Sequence, residues 1–137
     1  MTNIEELDKA IVAYGMWKSR LQLAIAARET DTPIETMQQD DQCAFGKWLH
    51  NPTFASIDNA SIHYETVKLL HAEFHQLAAR VAALALDGKH GEATKMLGSY
   101  GELAVVSTKL TRAMMEWKKV LLAGRQVNQS TSSIDLA

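Results

Sequence analysis

The sequence predicts an all-α fold, an antiparallel four-helix bundle built from three long helices and a short one that carries the single cysteine. Apolar residues recur at helical spacing in three long stretches, and no stretch reads as a strand. Only two prolines and seven glycines interrupt 137 residues, so the chain is built from a few long elements. The length fits one domain with one core.

The first helix is expected from about Asn3 to Arg28. Leu7, Ile11, Tyr14, Leu21 and Ile25 recur at spacings of three, four or seven, and Ala10, Trp17 and Ala24 widen the stripe. Asn3 followed by Glu6 supplies a start signal. Gly15 costs about 1 kcal/mol inside a helix, which suggests close packing of a neighbour there. From Thr30 to Gln42 the chain is mostly polar and reads as a loop. A short helix follows over Cys43-Ala44-Phe45-Gly46-Lys47-Trp48-Leu49-His50, with Asp40 or Asp41 as its cap and Asn51-Pro52 as its stop. In it, Gly46 leaves room for another helix, while Phe45 and Trp48 anchor the segment on the bundle.

The next helix is expected from Asn59 to Asp87-Gly88, with Val67, Leu70, Phe74, Leu77, Val81 and Leu84 as its stripe. Gly88 to Gly91 is a tight connection that favours an antiparallel partner. That partner runs from Glu92 to Ala123 through Met96, Leu103, Leu110, Met114, Trp117 and Leu121, with Tyr100 between. These residues read as core rather than as a cofactor box. Gly124 is expected to stop the helix. The chain thus divides into a helical-bundle domain over 1–124 and a flexible polar tail over 125–137, where Ser, Thr, Asn and Gln bury too little apolar surface to offset ordering.

Composition narrows the function. A formal net charge of -2 argues against nucleic-acid binding through bulk charge. With one cysteine, no internal disulfide is possible. No apolar run approaches the ~20 residues needed to span a bilayer, and the N-terminus lacks a secretion signal. The simplest placement is cytoplasmic, without membrane insertion. There is no Cys-x-x-Cys-His haem attachment motif, and no glutamate stands three residues before His71 or His75 as a di-iron site requires.

His71 and His75 lie one turn apart on one helix face, where two imidazoles can share a metal ion. Ala78 and Ala82 continue that face, and Phe74 borders it. Buried without partners, each imidazole would cost about 1–3 kcal/mol, which a shared ion would reduce. The competing reading is two partly exposed histidines bonded to water or backbone. Glu73 points away from the pair and is not placed as a catalytic base. His50, His63 and His90 read as solvated. Cys43 offers a thiolate, and zinc takes Cys and His donors together; otherwise it is a small buried residue.

Cys43-Ala44-Phe45-Gly46-Lys47-Trp48, with His71-x-x-x-His75 beginning twenty-eight residues after Cys43, resembles the chemoreceptor zinc-binding domain family. The resemblance extends over about residues 4 to 123. It implies a three-His, one-Cys zinc site whose first histidine lies in helix one, in a pattern similar to His-x-x-Trp-Lys-x-Arg-Leu. Here Tyr14-Gly15-Met16-Trp17-Lys18-Ser19-Arg20-Leu21 stands at that place, so Tyr14 occupies the histidine position. Three arrangements stay open. Tyr14 ligates as a phenolate, or Cys43, His71 and His75 hold zinc with water or an outside group in fourth place, or the site is weakened or empty and Tyr14 is a core residue whose hydroxyl bonds His71 or His75.

The resemblance implies a Zn2+-binding sensory domain of bacterial signalling, with a chemotaxis or cyclic-di-GMP output. It implies a homodimer, and it makes zinc availability or oxidation of Cys43 by hypochlorite the input. The alternative is a metal-free dimerisation or interaction module that has lost full zinc binding. A zinc hydrolase using an open coordination position lacks an evident general base, so the chain does not read as an enzyme.

Overall fold

A computed structural model describes the backbone of residues 3–50 and 62–136, with side chains from 4–50 and 62–123. Its elements are α1 (Asn3–Gly15), α2 (Trp17–Ala27), α3 (Ile34–Gln38), α4 (Ala44–Leu49), α5 (Ile62–Leu86), α6 (His90–Leu97) and α7 (Glu102–Leu136). Among the described residues there is no strand, and the fold is an all-α bundle.

The first expected helix is two helices in line. The break falls at Met16, whose N–H turns back to the Ala13 carbonyl at 3.2 Å. A β-carbon on Gly15 would meet nothing within 4 Å, so this glycine marks the break and not a close neighbour. The apolar stripe passes through the break: Leu7, Ala10, Tyr14, Trp17, Leu21, Ala24 and Ile25 are all buried. α2 ends at Arg28, which takes the left-handed conformation at φ 57°.

The return segment from residue 29 to 50 supplies the fourth corner. Part of the expected loop is helical, because Pro33 begins α3 with its φ already set, and Met37 then anchors it in the core. α4 follows, and its N-cap is Cys43, not an aspartate. The Met37 carbonyl meets His75, while the Leu49 carbonyl accepts from the Tyr64 hydroxyl at 2.7 Å. Rising numbers in α3–α4 therefore meet falling numbers in α5, so the two run antiparallel. The expected start at Asn59 and stop at Asn51-Pro52 lie outside the described residues.

α7 runs antiparallel to both long neighbours. Arg80 of α5 pairs with Glu102, and Tyr64 packs on Trp117, while Asp8 of α1 pairs with Lys118. The last expected helix also divides. The turn Gly98 to Gly101 separates α6 from α7, and Gly101 is needed because a β-carbon there would strike the Met96 and Lys95 carbonyls. Tyr100 sits in this turn, 97% exposed, and is not core. α7 passes through Gly124 and continues to Leu136, through the stretch expected as a polar tail. A glycine within a helix costs about 1 kcal/mol and does not by itself end it. Leu103, Val106, Leu110, Met114 and Trp117 give α7 its buried stripe.

Candidate metal centre

Three elements deliver four donor atoms to one point in the core. Tyr14 comes from the last turn of α1, Cys43 from the N-cap of α4, and His71 and His75 from successive turns of α5. Tyr14 is 4% exposed, His71 0% and His75 3%, and Cys43 is half-buried. The two histidines are not partly exposed: both are buried, as are Phe74 and Ala78 of the same helix.

The Tyr14 hydroxyl lies 2.5 Å from His71 Nε2, 2.9 Å from His75 Nε2 and 3.2 Å from Cys43 Sγ. Cys43 Sγ lies 3.4 and 3.5 Å from the same two nitrogens, which are 3.1 Å apart. Tetrahedral zinc at about 2.0–2.3 Å from each donor would hold neighbouring donors about 3.3–3.7 Å apart. The two sulfur–nitrogen separations already lie in that range and the other four are shorter, most of all Tyr14–His71 at 2.5 Å, so room for the ion requires an outward movement, largest between Tyr14 and His71. The donor set of thiolate, two imidazoles and an oxygen suits zinc chemically.

The outer nitrogen of each imidazole supports the same reading. His75 Nδ1–H donates to the Met37 carbonyl at 2.9 Å, which leaves the Nε2 lone pair of the neutral ring facing the centre. His71 Nδ1 is buried without a hydrogen-bond partner and stands 4.0 Å from an Asp40 carboxylate oxygen. Cys43 Sγ accepts the Gly46 N–H at 3.2 Å as the cap of α4. A β-carbon on Gly46 would fall 1.7 Å from the Asp40 carbonyl oxygen. The glycine thus admits the backbone of its own preceding loop, not another helix. Phe45 packs edge-on against both Tyr14 and His71 and stacks on Trp48, which in turn meets Trp117.

The electrostatics couple these groups. Burial pushes the Cys43 thiol up, but its polar contacts with His71, His75 and Tyr14 outweigh it and bring the pKa down to about 5. Burial disfavours the His75 cation, yet its bonds to Cys43 and the Met37 carbonyl raise its pKa overall. Without metal, these opposed shifts favour a thiolate–imidazolium pair, with one proton between Cys43 and His75. Burial, reinforced by the Cys43 charge, raises the Tyr14 hydroxyl well above the ordinary tyrosine range. Its ionisation requires a cation at the centre.

Sequence reasoning brought Tyr14, Cys43, His71 and His75 together and put Glu73 elsewhere; Glu73 is exposed. It missed Asp40 as a neighbour of the centre. His50, read as solvated, is exposed, and its Nε2 also bonds Asp40 at 3.2 Å. No period or motif in the polar loop marks Asp40, which the sequence offers only as a possible helix cap.

The geometry stands beside one match among known proteins. Comparison with curated proteins and with solved structures finds no match. The model of the chemoreceptor zinc-binding domain family matches residues 16–82, a span that includes Cys43, His71 and His75 and begins just after Tyr14. Over residues 16–82, the protein is similar to the chemoreceptor zinc-binding domain family.

Proposed function

We propose that the domain is a Zn2+-binding sensory module in which Tyr14, Cys43, His71 and His75 hold the ion. The observation that carries this reading is the convergence of four donor atoms whose separations all lie between 2.5 and 3.5 Å inside the core. With Cys43 and Tyr14 both ionised, two anions balance the charge of the ion, leaving a neutral centre in a low-dielectric interior. The ion would supply the folding energy of a structural site. It ties α4, through Cys43, to α1 and α5. Ligand ionisation couples its affinity to pH.

The signal is zinc availability or oxidation of Cys43. A hypochlorous oxygen transferred to the thiolate gives a sulfenic acid and chloride, and removes the donor that holds α4 in place. The output is a chemotaxis or cyclic-di-GMP partner in the cytoplasm, reached through a homodimer. No helix of the described residues is long and apolar enough to cross a membrane.

Metal analysis of protein purified without a histidine tag tests the reading. Near-stoichiometric zinc that disappears on Cys43→Ala and on His75→Ala is expected. Protein free of zinc even after growth with added zinc would end it. A second reading has a specific observation behind it. The short Tyr14–His71 contact gives the Tyr14 hydroxyl and His71 Nε2 a partner without metal, as it would in an interaction module that has lost the ion.

A further inference from the structure

We propose that Asp40 is a positioning residue of the metal centre, and that with His50 it forms an outer support which sets the tautomer of His71. This rests on the zinc reading above only for its effect on affinity; the tautomer is a property of the metal-free fold.

His71 is fully buried, and its Nδ1 has no hydrogen-bond partner. An unpaired buried donor of this kind costs about 1–3 kcal/mol. One carboxylate faces it: Asp40 Oδ2, at 4.0 Å. A movement of about 1 Å brings that pair to hydrogen-bond distance. The loop is built to hold Asp40 there. Its backbone carbonyl fills the place that a Gly46 β-carbon would take, which fixes Asp40 against the first turn of α4. On its outer side the same Oδ2 bonds His50 Nε2 at 3.2 Å, at the end of α4. Asp40 therefore joins a surface histidine to a buried one.

The consequence for His71 is chemical. A carboxylate facing Nδ1 keeps the proton on Nδ1 and leaves the Nε2 lone pair directed at Tyr14 and Cys43. His75 obtains the same result from the Met37 carbonyl. The two imidazoles thus have different supports: one is a fixed backbone oxygen, the other a side chain 27% exposed to solvent. Outer supports of this type, when removed, change metal affinity by about 10–100-fold.

The experiment uses the full chain, zinc alone as the probe, and two readouts. Competition against a chromophoric chelator should show that Asp40→Ala weakens zinc binding about 10–100-fold, with the metal-free melting temperature little changed. His50→Gln should lose less than Asp40→Ala. Asp40→Asn keeps the shape and an acceptor oxygen but not the charge, and should fall between wild type and Asp40→Ala. Nitrogen-15 spectra of the metal-free protein should show His71 protonated at Nδ1 in wild type and redistributed in Asp40→Ala. Unchanged affinity, or a His71 tautomer indifferent to Asp40, overturns the proposal. Should Asp40→Ala not fold, Asp40→Asn decides by the same two criteria. If wild type takes up no zinc, the function proposed above fails, and the tautomer spectra still decide the role of Asp40.

Discussion

The Tyr14 hydroxyl and His71 Nε2 lie 2.5 Å apart in the core, each the nearest polar partner of the other. A neutral phenol there donates to the imidazole, and a phenolate cannot. The contact therefore separates two states of the centre by a single proton.

That proton can be counted. Without metal, Cys43 and His75 share one proton and Tyr14 holds another. Zinc held by all four residues releases both, whereas zinc held by three with water in fourth place releases one. Titration calorimetry near pH 7, in buffers of different ionisation enthalpy, should give about two protons for wild type and about one for Tyr14→Phe. Equal counts would show that Tyr14 stays protonated.

Replacing Tyr14 with histidine puts a third imidazole beside Cys43, His71 and His75, the donor that the resemblance implies for this position. Tyr14→His should tighten zinc binding, because a neutral imidazole ligates without ionising a buried phenol whose pKa is strongly raised. Chelator competition is the measurement. Unchanged affinity would mean that residue 14 is not part of the centre.

Two glycines should respond in opposite directions to alanine. Gly15 has open space where a β-carbon would go and does not take a positive φ, so Gly15→Ala should stabilise by about 0.4–1 kcal/mol. Gly46 has the Asp40 carbonyl in that place, so Gly46→Ala must displace the Asp40 loop or the first turn of α4. A loss of about 2 kcal/mol or more is expected, together with weakened zinc uptake. Denaturant unfolding of both variants checks this; a neutral Gly46→Ala would contradict the packing described.

The bundle was legible in the sequence because helical periodicity survives a break. The stripe from Leu7 to Ile25 reads as one helix, although the chain turns at Met16, since both halves bury the same side. The gathering of these side chains was legible through residue type and spacing: Cys43, His71 and His75 read as one motif, with Tyr14 as its departure, and the fold brings the four together. Asp40 was not legible. It reaches His71 across thirty-one positions, through a loop with no period, and its placement depends on the missing β-carbon of Gly46. The course of α7 beyond Gly124 was also missed, because a glycine reads as a stop when its cost is weighed without the rest of the helix.

Cys43 should be reactive in a pH-independent way once zinc is removed. An ordinary thiol, with a pKa of about 8.5, gains about tenfold in alkylation rate per pH unit below that value, because only the thiolate attacks. Burial raises the Cys43 pKa, but its bonds to His71, His75 and Tyr14 prevail and bring it to about 5. The thiolate is therefore already formed at pH 6, and raising the pH adds almost none. Iodoacetamide modification of the metal-free protein should show a nearly flat rate from pH 6 to 8, slower in absolute terms than an exposed cysteine because Cys43 is half-buried. His75→Ala removes one of the bonds that lower the pKa and should restore a rising profile. Zinc should suppress modification at every pH by engaging the thiolate. A wild-type rate that climbs about tenfold per pH unit over this range would show that Cys43 is a neutral thiol without metal.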